Sequence, residues 1–145
     1  MTSASVSLEI TNTLKDCDKG FIEIRCVVNG ELVAKIIRIS LLRLHENVAY
    51  VSNDIALVDT ELANRSGVLV SSLIRDVGLS YLSIRIMGSV VKPLEDKGPY
   101  ECILSGIHRQ VGLFIERVTL EMLNITGYTK ILCFVLVKKI QADTE

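Results

Sequence analysis

Tryptophan is absent from this 145-residue sequence, and aromatic residues of all kinds make up only 5% of it. A hydrophobic core must therefore be built from aliphatic side chains, and apolar residues supply 49% of the sequence. A charge of one dominant sign is also absent, because the formal net charge is only −1. This balance excludes a general electrostatic attraction to nucleic acid or anionic lipid, so any such contact must come from a local patch.

Long apolar runs are lacking as well. No run reaches the roughly 18 residues that a membrane-spanning helix needs, and residues 1–12 have neither a basic nor an apolar signal-peptide region. The expectation from these two absences is a cytosolic protein. Its length predicts one domain that is large enough for a sizeable core.

The sequence also lacks the usual motifs of catalysis and metal binding. No G-x-S-x-G, Walker loop, G-x-G-x-x-G or H-E-x-x-H occurs, so neither an enzyme nor a cofactor is predicted. The four cysteines form no C-x-x-C pair, which argues against zinc. Cys26 and Cys133 lie in apolar runs, and the cysteines are expected to be buried free thiols.

The longest uninterrupted pattern is residues 31–48, ELVAKIIRISLLRLHENV. Its apolar side chains recur at helical spacing, which predicts a helix with one core-facing stripe: Val33, Ile37, Leu41, Leu44 and Val48. Ile39 and Leu42 fall on the opposite face among cations, which suits a contact surface. Coverage of that face by another part of the chain is the alternative.

A second interpretation of the same stretch is open. Asn29-Gly30 separates two apolar runs, which is a strong signal for a β-hairpin. Eighteen residues without Gly or Pro exceed a normal strand, so a strand, a turn and then a helix are favoured.

Elsewhere the pattern predicts strands at 21–28, 79–91, 100–108, 111–123 and 130–140, the last two as a hairpin, and a second helix at 61–77. Residues 92–99 hold both prolines and predict an exposed loop. The predicted fold class is α+β, with one antiparallel sheet of about five strands and two main helices on one face. The predicted organisation is a flexible arm at 1–19, a domain at 20–140 and a tail at 141–145.

This order of elements resembles the small matrix proteins of rhabdoviruses, and a plant-infecting, cytorhabdovirus-like member in particular. The segments that carry the resemblance are IEIRCVVNG followed by IIRISLLRLHENV, a second helix ending in DVG, KPLEDKGPYEC, and RQVGLFIERVTLEMLNITGYTKILCFVLV. Neither the basic N-terminal segment nor the PPxY motif of the animal-virus members is present.

The resemblance implies a viral structural protein that self-associates, condenses the ribonucleoprotein and links it to the inner face of the envelope. The implied partners are a second copy, the nucleoprotein–RNA complex and the inner membrane leaflet, and the implied locations are the virion and the host cytoplasm. Self-association would use Val6, Leu8, Ile10, Ile39 and Leu42. Nucleocapsid or membrane contact would use Lys35, Arg38, Arg43, Lys92, Leu94 and Lys97.

Two other functions are open. A small-ligand domain or lyase of the chorismate-lyase-like class would need an enclosed pocket with a convergent arginine, for which Arg25, Arg85 and Arg117 are candidates. A general interaction module is the third hypothesis, and only its partner would distinguish it from a matrix protein.

Overall fold

The computed structural model describes residues 5–14, 19–52, 55–57, 61–75 and 78–121. These residues form nine strands, two four-residue helices and one 3-10 turn at Gly88–Val90. In chain order the elements are β1 (Val6–Asn12), β2 (Phe21–Asn29), β3 (Val33–Arg43), β4 (Glu46–Ser52), β5 (Ile55–Leu57), α1 (Glu61–Asn64), β6 (Val68–Leu73), β7 (Leu79–Met87), α2 (Pro93–Asp96), β8 (Tyr100–His108) and β9 (Gly112–Leu120).

The strands form two antiparallel sheets. The four-stranded sheet has the order β1-β2-β7-β6, and the five-stranded sheet has the order β5-β4-β3-β8-β9. Buried aliphatic side chains from both sheets form one core cluster. The architecture is therefore a β-sandwich, in which the inner faces of two sheets supply the core.

Strict alternation explains the strands at the centre of each sheet. On β2, every second side chain from Ile22 to Val28 is buried, while the intervening ones are partly exposed. β7 and β8 follow the same two-residue period. Each of these strands therefore turns one apolar face towards the other sheet. The predictions of strands at 21–28, 79–91 and 100–108 correspond to β2, β7 and β8.

The predicted α+β class is wrong, because no long helix occurs among the described residues. The stretch 31–48 forms the β3–β4 hairpin, whose turn is Leu44-His45. Both turn residues have positive φ, 53° and 66°, as a two-residue type I′ hairpin requires. Leucine and histidine are not residues that normally mark such a turn, so the sequence gives no sign that the stretch is interrupted there. Without a visible turn, the spacing of its branched residues fits a helix as well as a strand.

The second predicted helix, 61–77, is also wrong. Only α1 is helical there, and the chain then turns into β6, which pairs along its whole length with β7. The Asn29-Gly30 hairpin does not form either. Strand β2 pairs with β1 and β7, whereas β3 pairs with β4 and β8, so Asn29-Gly30 carries the chain from one sheet to the other.

The predicted arm and hairpin at the two ends of the chain are described only in part. Residues 6–12, within the predicted arm, pair with β2 in full register as β1. The strand predicted at 111–123 is β9, and it pairs with β8. The strand predicted at 130–140 and the tail at 141–145 lie outside the described residues.

A disulfide joins the two sheets. Cys26 on β2 and Cys102 on β8 are bonded, with their Cα atoms 5.9 Å apart and neither residue exposed to solvent. The prediction of buried free thiols is therefore wrong for these two residues. Burial was correctly inferred from the apolar surroundings, but a single sequence does not show that two buried cysteines meet across a core. Cys17 and Cys133 lie outside the described residues.

A buried carboxylate closes one end of the sandwich. Asp96 at the end of α2 has no exposed surface. Its carboxylate accepts hydrogen bonds from Arg43, from Arg65 at 2.7 and 3.2 Å, and from the backbone N–H of Lys92 at 2.7 Å. Tyr100 donates its hydroxyl hydrogen to the backbone oxygen of Asp96 at 2.6 Å. These bonds tie the α2 loop to β3 and β8, and they compensate the cost of burying the charge.

Removing the disulfide should destabilise the domain strongly. The variant Cys26→Ala with Cys102→Ala is expected to lose about 2–5 kcal/mol of unfolding free energy, because a link across 76 residues of sequence restricts the unfolded chain. Urea denaturation of the wild-type and variant proteins measures the loss. Free thiols at both positions in the oxidised wild-type protein, detected by alkylation and peptide mapping, would contradict the cross-link.

Removing the Tyr100 hydroxyl should lower the unfolding free energy by less than removing the disulfide, and this loss should depend on pH. Tyr100→Phe leaves the Asp96 carbonyl without its donor, so a loss of about 1–1.5 kcal/mol is expected at neutral pH. Burial, with the Asp96 charge as a smaller cause, raises the pKa of Tyr100 above its ordinary value of 10.0. Above that pH the unfolded phenol ionises while the folded one stays protonated, so the wild-type advantage should shrink. Paired denaturation curves at neutral and alkaline pH test this, and a constant difference between the two proteins would contradict it.

Candidate recognition surface

The outer face of the five-stranded sheet carries exposed aliphatic side chains at its β9 edge. Leu113 and Ile115 alternate outward on β9 and are 78% and 68% exposed. Ile37 on β3 is a third exposed member. These three residues are called the aliphatic surface below. Isolated exposed aliphatics are ordinary, but a contiguous group indicates a contact site.

A bulge in β3 brings Ile37 into this group. The pairing with β8 runs from Ile36 opposite Gly106 to Arg38 opposite Ser105, so Ile37 is an extra residue without its own partner. Bulges re-aim side chains in this way. Gly106 fits the bulge because a Cβ there would lie 2.5 Å from the backbone oxygen of Lys35, too close for any other residue.

The aliphatic surface lines an open groove of about 480 Å³. Its lining is mostly apolar and consists of Ile37, Ser105, Gly106, Leu113, Phe114 and Ile115. No charged side chain lines it. A groove of this kind accommodates apolar side chains of a partner, whereas a small polar substrate would need convergent polar groups.

Polar and charged side chains surround the aliphatic surface on the same sheet face. Arg117 of β9 forms an ion pair with Glu101 of β8 at 3.2 Å. Arg38 stacks on the Tyr50 ring, 3.8 Å from its centroid, and donates to the Ser40 hydroxyl at 3.0 Å. An apolar centre with a polar rim of both charges is the usual composition of a protein–protein contact surface.

The β9 edge is anchored on its inner side. Glu116 points inward and accepts hydrogen bonds from the backbone N–H groups of Ser5 and Val6, at 2.8 and 3.0 Å. The start of β1 is thereby bound to β9. The aliphatic surface consequently stands on a strand that is held by both sheets, and a rigid surface loses little entropy on binding.

The residues predicted for self-association are not brought together. Val6, Leu8 and Ile10 point inward on β1 and pack on the core. Ile39 is completely buried on β3. Leu42 is half-buried on the outer face of that strand.

The residues predicted for nucleocapsid or membrane contact are also divided. Lys35 and Arg38 lie on the outer face of β3, while Arg43 forms an ion pair with the buried Asp96. Lys92, Leu94 and Lys97 lie in or beside α2, where Leu94 is 82% exposed. The charged face predicted for one helix therefore does not form.

Comparison with known proteins shows the fold and nothing more specific. No protein-family model and no curated protein matches the sequence. The solved structure of murine CRIg matches with a TM-score of 0.54 and 14% identity, covering 81% of this chain and 96% of that one. An order of β1-β2-β7-β6 against β5-β4-β3-β8-β9, with a disulfide between β2 and β8, is the variable-type immunoglobulin arrangement. The fold is an immunoglobulin-like sandwich.

One further feature agrees with this fold, and another departs from its usual pattern. Tyr100 lies two residues before the second cysteine and bonds backbone upstream, which is the tyrosine corner of such domains. The tryptophan that usually packs on the disulfide is absent, and aliphatic Ile39 and Leu41 fill the buried positions of β3 instead.

Features of other kinds of site are not found in the part of the chain that the structure describes. No cluster of three His, Cys, Asp or Glu residues there could hold a metal ion. Within the same ranges, no helix has the length and apolarity to cross a membrane. Arg25 and Arg85 lie on the outer face of the four-stranded sheet and Arg117 on the opposite face of the sandwich, so these arginines do not converge.

The aliphatic surface was missed because β9 was interpreted only by its alternation. Leu113, Phe114 and Ile115 are three consecutive apolar residues in a strand that continues with the charged pair Glu116 and Arg117. Such a run places apolar side chains on both faces at once. That local departure from alternation is the signal in the sequence for an exposed apolar patch.

Ile39 and Leu42 should respond differently to the same substitution. Ile39→Asp buries an unpaired carboxylate in the core and should destabilise the domain by more than about 4 kcal/mol, leaving it unfolded. Leu42→Asp should leave a cooperatively folded protein. Circular dichroism with thermal melting of both variants distinguishes them, and a folded Ile39→Asp variant would contradict the assignment of Ile39 to the core.

Proposed function

We propose that this chain is a non-catalytic recognition domain that associates with a second copy of itself through the aliphatic surface. The observation that carries the proposal is the high exposure of Leu113 and Ile115, which line an apolar groove. In a two-fold dimer the same surface is used by both copies, so the aliphatic grooves of the two copies face each other. Burying them removes apolar area from water, which favours association.

Charge supports a second copy as the partner. The rim contains both a cation and an anion, Arg117 and Glu101, so two copies of this face can be complementary. The net charge of −1 also means that two copies repel each other only weakly at long range.

The disulfide supports an oxidising compartment for this function. Stable disulfides occur in secreted and extracellular proteins and are rare in the cytosol, where thiols are kept reduced. The Cys26–Cys102 bond therefore favours a location outside the cytosol over the cytosolic location expected from the sequence. We propose contact between molecules in that compartment as the setting for the association.

The matrix role stays a prediction. Two of the segments that carried its resemblance were predicted as helices, which the described residues do not form, and no comparison bears on it. Self-association is the property that a matrix protein would share with the recognition domain. The lyase alternative also stays a prediction, although the groove described above is open and has no arginine in its lining.

Substitution of the aliphatic surface should weaken self-association. The double variant Leu113→Asp with Ile115→Asp places four carboxylates in a two-fold interface. A dissociation constant raised at least about 30-fold is expected, since central contact residues contribute about 2 kcal/mol or more each. Sedimentation equilibrium of the full chain over a range of protein concentrations measures the constant.

A matched control separates the surface from the added charge. Leu69→Asp with Leu94→Asp introduces the same charge at exposed leucines on β6 and α2 and should leave association unchanged. A wild-type chain that stays monomeric at every soluble concentration would refute the proposal. So would equal weakening by both double variants.

A further inference from the structure

We propose that Asn64 is an acceptor for an N-linked glycan. Asn64, Arg65 and Ser66 form the tripeptide Asn-x-Ser, with x not proline, which is the acceptor sequence of this modification. The tripeptide by itself is common, so the proposal depends on how the fold presents it. The proposal goes beyond the recognition function and involves a different part of the surface.

The local structure projects the two reactive residues into solvent. Asn64 is the last residue of α1, Ser66 lies in the following turn, and both are exposed. The middle residue points the other way. Arg65 donates to the Asp96 carboxylate at 2.7 and 3.2 Å and to the Val90 carbonyl at 3.0 Å, and only 13% of its side chain is exposed. The middle residue of the acceptor tripeptide is thus held by the fold, while the side chains of its first and third residues are accessible from solvent.

The chemistry requires both exposed side chains. The amide nitrogen of Asn64 would form a bond to the anomeric carbon of an oligosaccharide carried on a polyprenyl diphosphate. The bond between that carbon and the diphosphate oxygen breaks, the amide nitrogen loses one proton, and polyprenyl diphosphate leaves. The hydroxyl of Ser66 serves recognition of the acceptor, which explains why its exposure matters alongside that of Asn64.

The compartment of this reaction agrees with the disulfide. Transfer of such oligosaccharides takes place on chains that enter the secretory route, where disulfides also form. The Cys26–Cys102 bond and the exposed acceptor are separate features of the molecule, and both point to the same environment.

The position of Asn64 also suits a glycan physically. Helix α1 lies between β5 and β6, which are edge strands of the two sheets, and contacts β6. Strand β6 pairs only with β7 among the described strands, and its Leu69 is 60% exposed. An exposed edge strand with an apolar side chain invites aggregation, and a bulky hydrophilic group nearby opposes it. The aliphatic surface on β9 is at the other edge of its sheet and stays uncovered.

The test is to direct the full chain into the secretory route of a eukaryotic cell with a cleavable leader. The secreted protein is treated with peptide N-glycosidase, which converts a glycosylated asparagine to aspartate. Peptide mass spectrometry is expected to find aspartate at position 64. A second acceptor tripeptide, Asn124-Ile125-Thr126, lies outside the described residues, so assignment by peptide rather than by total mass is essential.

Variants separate glycosylation from folding. Asn64→Gln and Ser66→Ala should each remove the modification at position 64, whereas Ser66→Thr should retain it. Asn47→Gln, at an exposed asparagine outside any acceptor tripeptide, should leave it unchanged. Secreted, disulfide-bonded protein with unmodified Asn64 would overturn the proposal. That result would leave self-association through the aliphatic surface intact, because the sedimentation experiment tests it separately.

Discussion

The contact between two inner sheet faces, covalently fixed by Cys26 and Cys102, is the constraint on which the rest of this structure depends. Each cysteine lies on an interior strand of its sheet, so the bond joins the centres of the two layers. Without tryptophan, the space around it is filled by branched aliphatic residues whose packing is individually weak and collectively large. The bond holds β2 and β8, and with them the strands they pair with, face to face across the core.

The closed end of the sandwich follows from the same constraint. Two residues before Cys102, Tyr100 points into the core and bonds the backbone of Asp96. Asp96 in turn forms ion pairs with Arg43 of the five-stranded sheet and with Arg65 in the segment before β6. A carboxylate with no solvent contact is tolerated only because these partners surround it. The arginine that completes this cluster also orients Asn64 and Ser66 outward, so a core interaction determines what the surface presents.

Burial of one face of the five-stranded sheet leaves its other face available. β8 and β9 use alternate residues for the core, and the bulge at Ile37 adds one aliphatic side chain to the outer face. The proposed recognition surface and the proposed glycan site lie at different edges of the sandwich. A glycan at Asn64 would therefore leave the aliphatic surface accessible.

Some strands could be predicted from the sequence and others could not, depending on whether their signal is local. Strands β2, β7 and β8 were predictable because alternation of apolar and polar side chains is a local property. The β3–β4 hairpin was not, because Leu44 and His45 adopt positive φ without a residue type that signals it, and because branched residues at positions 33, 37 and 41 satisfy two periods at once. The sequence pattern likewise predicted one helix where the structure has the four-residue α1 followed by β6.

The candidate recognition surface was likewise predictable only in part. The alternation within 111–123 indicated the strand that carries Leu113 and Ile115, but not that its outer face is exposed at the edge of a sheet. Of the two aliphatic contacts chosen from a helical pattern, Ile39 proved to be core once the strand was formed, whereas Leu42 lies on the outer face.

What the sequence by itself determined is the aliphatic character of the core, the strands β2, β7 and β8, and the burial of Cys26, because each depends on neighbours along the chain. Only the tertiary structure decided that Cys26 meets Cys102, that Arg65 meets Asp96, and which aliphatic residues remain in solvent. Those contacts join residues tens of positions apart, and no local pattern encodes which distant segment will supply the other half.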